Sequence, residues 1–489
     1  MPDTVVTPSI PTVPVMPAVL DQLRAIVGER GLILDDPGKE PFVRDWRGSL
    51  TGTAAAVVRP ANTDEVSKVV KLCNDHGIAI VPQGGNTGLM GGATPWPTHS
   101  GILLSLGRMN HVLEVDPVGY TMTVEAGCVL QTLQDTAASH DRFFPLSLGA
   151  QGSCMIGGNL STNAGGVQVL RYGNARNLVL GLEVVLPNGD VWNGLRSLKK
   201  DNTGYDLKHL FMGAEGTLGV ITKTVLKLWP APKDVATAWL AIRDPQAAIE
   251  ILSAAHAASE DNVGSCELMC RNVIDMVVRH LPNTQDPLKA DAEWYLLLEW
   301  SSSRPRAEGA EGMSDKLEQF LADEIETGRV LDAVIAQNEA QARNMWRLRE
   351  GVAEASRAEG PALSYDVSVS ISRIPSFIDQ GVKAALEILP GLRPQPIGHI
   401  GDGNIHFSFA APKGMDRQTL NQHEPAITRV VNNLVRDMAG SISAEHGIGQ
   451  LKVDELAHYR SPVELDTMRA LKRALDPKNI MNPGKILRL

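Results

Sequence analysis

Three glycine-rich tracts, each lying downstream of strand-like runs, constrain this chain more than any other feature. The first, Pro82-Gln-Gly-Gly-Asn-Thr-Gly-Leu-Met-Gly-Gly92, leaves the apolar run Ile78–Val81 directly. The second comprises Pro145-Leu-Ser-Leu-Gly149, Ile156-Gly-Gly-Asn159, Thr162-Asn-Ala-Gly-Gly166 and Tyr172-Gly173. The third is Asn202-Thr-Gly-Tyr-Asp-Leu207, continued by Gly213-Ala-Glu-Gly-Thr-Leu-Gly-Val-Ile-Thr222. Glycine lets backbone approach a phosphate closely and turns successive N–H groups toward it. The first tract is neither a GxxxxGK[ST] P-loop nor a GxGxxG fingerprint, so it supports neither nucleoside-triphosphate hydrolysis nor nicotinamide binding. Alone it fits a flexible connection equally well. Three such tracts exceed what one phosphate needs and suit an extended dinucleotide held mostly by backbone.

Between the tracts, strands and helices alternate. A helix is expected over Ala18–Arg30 and a strand over Ala54–Val58. Thr63 is read as an N-cap with Asp64 and Glu65 in the first turn, where carboxylates suit the helix dipole. Val66, Val69, Val70 and Cys73 form an apolar helical stripe that Gly77 closes. Further strands are expected at Ile102–Leu106, Thr121–Glu125 and Val179–Leu186. After Trp229-Pro230-Ala-Pro232 the glycine tracts stop. Residues 235–395 read as an α+β region with an antiparallel sheet, strands at Ala236–Ile242, Glu293–Trp300 and Ser364–Ile371. A helix over about Glu339–Ala358 carries Arg343, Arg347 and Arg349, a run that ordinarily makes a solvated face. Helices follow at 421–439 and 462–475.

The segment Ile397–Ser408, IGHIGDGNIHFS, carries the sharpest chemical signal. Asp402-Gly403 is a strong hairpin turn signal. Counting outward pairs Ile400 with Ile405 and His399 with His406, which brings two imidazoles to one face. Glu445-His446 in SAEHGIG offers the best third ligand. Two histidines and a carboxylate with coordination left open suit a catalytic metal site. A hairpin with two ordinary histidines is the plainer alternative.

The chain of 489 residues is too long for one core and should form two or three domains. Its net charge of −10 and 4% aromatic content leave no basic face or stacking platform for nucleic acid. Cys73, Cys128, Cys154, Cys266 and Cys270 form no CxxC pair and suit a reducing compartment. The Pro-, Thr- and Val-rich residues 1–17 read as a disordered tail, without the basic start and apolar core of a signal peptide. No apolar run approaches the roughly 20 residues of a membrane span. Cytoplasm, without integral membrane association, is the expectation.

PQGGNTGLMGG, GGNLSTNAGG, NTGYDLK, GAEGTLGVIT, GHIGDGNIH, SAEHGIG and NIMNPGK occur here in the order seen in the FAD-linked D-2-hydroxyacid dehydrogenases. That family includes D-lactate and D-2-hydroxyglutarate dehydrogenases and the glycolate oxidase FAD subunit, among flavoproteins of vanillyl-alcohol-oxidase type. The resemblance runs from about residue 40 to the C-terminus. It implies an α+β fold: a two-subdomain FAD-binding domain at 18–231, an antiparallel α+β substrate or cap domain with the metal hairpin at 232–425, and a C-terminal helical segment, 426–489, returning to the flavin. FAD contacts carry over to Pro82, Gly84, Gly85, Asn86, Thr87, Gly88, Pro145, Gly149, Gly157, Gly158, Asn163, Gly166, Glu215, Ile221 and Asn482. His399, His406 and Glu445 match the family's divalent metal ligands, usually for zinc. His446 matches its catalytic base and Arg349 an arginine that binds substrate carboxylate. Covalently flavinylated relatives have a histidine in the first glycine tract; this chain has none there, so FAD should be non-covalent.

The activity so implied is oxidation of a D-2-hydroxy acid to the 2-oxo acid, by metal-assisted deprotonation of the hydroxyl and hydride transfer to FAD. A homodimer and an acceptor such as electron-transfer flavoprotein or quinone are expected with it. A flavin oxidase using dioxygen is the alternative. Members acting on 2-hydroxyglutarate commonly have a lysine before the aromatic-Asp pair and an asparagine two residues past the second metal histidine. This chain has Ser364 and Ser408 at those places, which favours a monocarboxylate such as D-lactate or a bulkier acid.

Overall fold

Apolar strands and the helices that cover them build two units in the computed structural model, which describes residues 13–489. One unit comprises the chain up to Gly166, Gly173–Pro230 and Glu445–Leu489; the other comprises Val167–Tyr172 and Ala231–Ala444. Most of the expected tail lies outside the described residues, and Pro17 already opens the helix Pro17–Val27. The boundary expected at residue 425 falls inside the helix Arg417–Asp437; the chain changes unit at Glu445 instead. No helix among the described residues is long and apolar enough to cross a membrane.

In the first unit, β1 (Leu32–Ile33), β2 (Ala56–Val58), β3 (Ile80–Gln83) and β4 (Ile102–Ser105) make a sheet in the order β1-β2-β4-β3. The helix Thr63–His76 buries Val66, Val69, Val70 and Cys73 completely, each valine contributing about 1.5–3 kcal/mol. Its N-cap is Asn62 rather than Thr63: the Asn62 side chain accepts from Glu65 N at 2.9 Å. Thr63 is the first helical residue, and its hydroxyl donates to the buried Glu183 carboxylate at 2.6 Å. Gly77 ends the helix at φ 66°.

Then come β5 (Val112–Asp116), β6 (Thr121–Glu125), β7 (Arg142–Phe143), β8 (Val179–Val185), β9 (Val191–Gly194), β10 (Val220–Lys227) and β11 (Trp229–Pro230). An antiparallel sheet runs β5-β6-β10-β8-β9, and β7 pairs with β11. The C-terminal tail returns to this unit as an extra edge: Ile80 N donates to Ile480 O at 2.7 Å and Asn482 N to Ile80 O at 2.8 Å.

The second unit holds β12 (Asp234–Ile242), β13 (Val263–Cys270), β14 (Trp294–Ser302), β15 (Val330–Ile335), β16 (Ala362–Ser368), β17 (Arg393–Pro394), β18 (Ile397–His399) and β19 (Asn404–Ala410). The antiparallel sheet runs β15-β12-β14-β13-β18-β19-β16, with β17 also on β19. Its strands are apolar on both sides because helices cover both. Leu240, Leu268, Leu298, Ile405 and Phe407 share one core with Ile251, Leu317, Phe377 and Val431; Trp239, Met269, Tyr295, Leu297 and Ile397 share the other with Ile274, Val277, Met345 and Leu348. The helix expected over Glu339–Ala358 is two helices, Glu339–Glu350 and Val352–Glu359. They meet at Gly351, where a Cβ would come within 2.3 Å of Leu281 Cδ1.

Candidate functional site

The hairpin forms, two residues out of the expected register. His399 pairs with Asn404 and His406 with Ile397, so the loop is Ile400–Gly403 rather than Asp402-Gly403 alone. The cause is Ile400, which is buried in the core and donates its N–H to Cys266 O on β13 at 3.1 Å instead of pairing with β19. Gly403 sits at φ 85°, where a Cβ would be 2.2 Å from Val369 O. A slip of two preserves the face, since side chains alternate with period two. His399 and His406 therefore remain diagonal neighbours, ring centroids 5.4 Å apart, with ligand-capable nitrogens within 4.8 Å.

A buried carboxylate stands beside each ring, and the one beside His399 orients it. Glu267, opposite His399 on β13, accepts from His399 Nδ1 at 2.8 Å and from Arg349 Nε at 2.8 Å. Burial alone would raise the Glu267 carboxyl, but His399 and Arg349 beside it hold it below its ordinary range. With Nδ1–H donated to Glu267, His399 presents the Nε2 lone pair; Arg349 Nη2 stands 3.5 Å from it, at the limit of a hydrogen bond. His406 Nδ1 lies 3.6 Å from Asp366 Oδ1, which also accepts from Asn404 Nδ2 at 2.9 Å. Arg349 is 9% exposed while Arg343 pairs with Glu339 at the surface, so the arginine run is not one solvated face. Ser364 and Ser408 face each other across β16 and β19, with Ser408 Oγ 3.1 Å from Ser364 Oγ.

In the first unit the glycine tracts converge. Gln83, at the end of β3, donates to Phe42 O at 2.9 Å and Ala93 O at 3.0 Å, bracing the first tract. A Cβ on Gly85 would sit 2.2 Å from Ser153 O, and one on Gly84 would touch Gly158 N at 3.4 Å, so the first tract lies against the second. Asn86 holds φ 54° and donates to Arg44 O at 2.8 Å. Apart from Gly84, the expected cofactor glycines fall into two groups. Gly85, Gly157 and Gly166 serve close packing: a Cβ would come within 2.7 Å of Ala126 Cβ at Gly157 and 2.0 Å of Ser147 O at Gly166. At Gly88, Gly149 and Gly158 a Cβ would meet open space. Thr87 lies beside Gly88, Pro145 is buried, and Ile221 is an inward residue of β10 paired with Val184. Asn163 holds φ 50° and accepts from Arg176 N. Asn202–Leu207, by contrast, lies at the surface, with Tyr205 94% exposed.

Glu215, expected among the flavin contacts, uses its carboxylate otherwise: it accepts from Ile448 N and Gly449 N, each at 2.8 Å. Its carbonyl accepts from Asn482 Nδ2 at 2.7 Å. Burial raises the Glu215 carboxyl, opposed by those two N–H groups. His446 thus enters a loop fixed by Glu215, and Gln450 N donates to Met90 O of the first glycine tract at 2.9 Å. Glu445 Oε1 accepts from Gly166 N at 2.7 Å. Asn482 Oδ1 and Asn159 Oδ1 are buried without a partner among the described residues. The open positions at Gly88, Gly149 and Gly158, with the orphaned amide oxygen of Asn159 next in the chain to Gly158, suit a dinucleotide such as FAD. Glu267, Asn159 and Lys485 escaped the sequence reading. Glu267 had one signal, a carboxylate alone in the apolar run Ser265–Cys270, where an unpaired charge is too costly to bury.

Comparison with known proteins supports FAD as the cofactor. The family model for FAD linked oxidases, C-terminal domain, matches residues 231–486, and that for the FAD binding domain matches residues 54–194. A D-2-hydroxyglutarate dehydrogenase of Arabidopsis thaliana is 38% identical over 95% of this chain and 80% of its own length. That of Stutzerimonas stutzeri is 34% identical over 96% and 99% respectively. Among solved structures, p-cresol methylhydroxylase superposes with a TM-score of 0.74 at 19% identity over 96% of each chain. A 4-ethylphenol oxidase from Gulosibacter chungangensis gives 0.70 at 17% identity, covering 96% of this chain and 97% of that one. These two share the α+β fold of vanillyl-alcohol-oxidase type. The Arabidopsis thaliana relative and one from Bos taurus, 38% identical over 94% of this chain and 81% of its own length, are named as mitochondrial, which overturns the cytoplasmic expectation. The chain belongs to the FAD-linked D-2-hydroxyacid dehydrogenases and is an FAD-dependent oxidoreductase that oxidises a D-2-hydroxy acid to the 2-oxo acid.

Proposed function

We propose that the reaction is metal-assisted, with His399, His406 and Glu445 holding a divalent cation, zinc foremost. The observation that carries this reading is the approach of the His399 and His406 nitrogens to within 4.8 Å, one ring oriented by a buried carboxylate. Glu445 is the third ligand on the family resemblance, and Ala444, its neighbour in the chain, donates to Asp366 O at 3.3 Å. Two imidazoles and a carboxylate suit zinc, with room left for substrate oxygen.

When bound, FAD would supply the acceptor for the C2 hydride, and a cation held by His399, His406 and Glu445 would supply a Lewis acid for the hydroxyl and carboxylate oxygens. His446 takes the hydroxyl proton at a ring nitrogen, a task suited to imidazole near neutral pH. Glu267 keeps the proton of His399 on Nδ1, which leaves Nε2 as the ring nitrogen that would hold a cation. Arg349, steered by the same carboxylate, offers its outer nitrogens to the substrate carboxylate. Gly88, Gly149, Gly158, Asn159 and Asn482 would help to hold FAD, without a covalent bond.

The names of the relatives make D-2-hydroxyglutarate the first substrate to test. A second reading, a D-2-hydroxy monocarboxylate such as D-lactate, is favoured by the Ser364–Ser408 pair, which offers hydroxyls and no cation to a second carboxylate. A homodimer and an electron-transfer flavoprotein or quinone acceptor complete the proposal on the family resemblance alone. A panel of D- and L-2-hydroxy acids with a dye acceptor tests it. D-isomers should turn over and L-isomers should not, and His446→Ala should abolish turnover with FAD retained. Equal rates for both isomers, or an active His446→Ala enzyme, would refute the assignment.

A further inference from the structure

We propose that Glu215 is a positioning residue for the reaction, its carboxylate fixing the place of the His446 imidazole through the two backbone N–H groups that follow it; this rests on His446 being the base. Both carboxylate oxygens are engaged, Oε1 by Ile448 N and Oε2 by Gly449 N. Such charge-assisted bonds are the stronger kind. Gly447 and Gly449 hold φ 76° and 53°, and a Cβ on Gly447 would sit 2.7 Å from Glu215 Oε1. The turn therefore closes on the carboxylate as a small anion nest. Glu215 is itself held in the left-handed region at φ 49°, unusual for a residue with a side chain. Its N donates to Ser161 O at 2.8 Å, and its carbonyl accepts from Asn482.

The C-terminal tail completes the clamp. Lys485, 2% exposed, donates to Gly91 O at 2.9 Å and Thr94 O at 2.6 Å, and Ile486 N donates to Gly449 O at 3.0 Å. Burial pushes the Lys485 ammonium down to about 7, and the Glu215 charge works against that fall. Glu215 thus ties together the first glycine tract, the tail and the turn after His446. The cradle and the base are held in one register by a residue that touches neither reacting carbon nor proton.

The test is a double-mutant cycle on flavin-loaded enzyme: Glu215→Gln, Glu215→Ala and His446→Ala, singly and combined. The rate of flavin reduction by D-2-hydroxyglutarate is followed anaerobically, long enough to read slow reactions. A misplacement of about 1 Å can cost on the order of 100-fold. Glu215→Ala should accordingly lower kcat about 10- to 100-fold with KM nearly unchanged and FAD content intact. Glu215→Gln, whose amide oxygen still accepts one N–H, should lose less. In the His446→Ala background neither change should cost anything further. Losses that multiply in that background, a Glu215→Ala enzyme as fast as wild type, or loss of FAD in both Glu215 variants would overturn the proposal. A fast His446→Ala enzyme would remove the base assignment itself and this proposal with it, whereas a slow one with multiplying losses removes this proposal alone.

Discussion

Glu267 shows how one side chain can govern a site from behind it. It lies on β13, orients His399 and neutralises Arg349, with its side chain 1% exposed. Glu267→Ala strands a buried guanidinium, and loss of one partner of such a pair costs about 3–5 kcal/mol. Urea unfolding should show that loss, with Glu267→Gln less affected; an unchanged midpoint would mean Arg349 finds another acceptor. The residues proposed to bear chemistry, His399, His406, Glu445 and His446, stand out in the sequence because histidine and carboxylate are rare within glycine-flanked apolar runs. Glu267 had only its signal as a lone carboxylate in an apolar run; nothing local in the sequence says that it lies opposite His399.

At the scale of elements, periodicity carried further than turn geometry. The strand Thr121–Glu125 and the helix Pro462–Leu475 match their expected bounds. The hairpin did not, because a two-residue turn was counted from Asp402-Gly403 while burial of Ile400 demanded a longer loop. Gly403→Ala places a side chain at φ 85° against Val369 O. It should lower the thermal midpoint and loosen the His399–His406 arrangement, with at least about 1–2 kcal/mol lost to the left-handed backbone alone; calorimetry checks it.

A second element-scale prediction concerns Glu359, which joins the helix Arg271–His280 to β17 through Arg279, His280 and Arg393. Burial alone would raise its carboxyl, but Arg393, His280 and Arg279 hold it at about 2, against an ordinary 4.5. The folded value lies below the unfolded one, so the stabilisation is fully present above pH 4.5 and fades as pH falls toward 2. Glu359→Gln should therefore be less stable than wild type in denaturant at neutral pH, and the gap should close as pH falls through that window. A gap that persists at the acid end would assign the effect to packing.

Over the whole molecule, the order of seven motifs made family and cofactor legible, while the path of the chain was not. Val167–Tyr172 leaves the first unit for the second, where Arg171 donates to Ser301 O at 2.6 Å; no composition change marks that excursion. The tail was expected to return to the flavin, but the buried polar knot that seats it was not. Lys472 donates to Thr217 O, Met481 O and Asp476, all in the first unit. Removing residues 480–489 takes away the edge beside β3 together with Asn482 and Lys485. The purified truncation should carry much less flavin per chain by absorbance, and full flavin content would show that the glycine tracts suffice. The cation is tested most directly by anaerobic mixing of flavin-loaded enzyme with a D-2-hydroxy acid before chelation, after it, and after zinc is restored. Rapid bleaching of the flavin, suppression on chelation and recovery with zinc are expected; bleaching undiminished in the metal-stripped enzyme would refute a role for the cation.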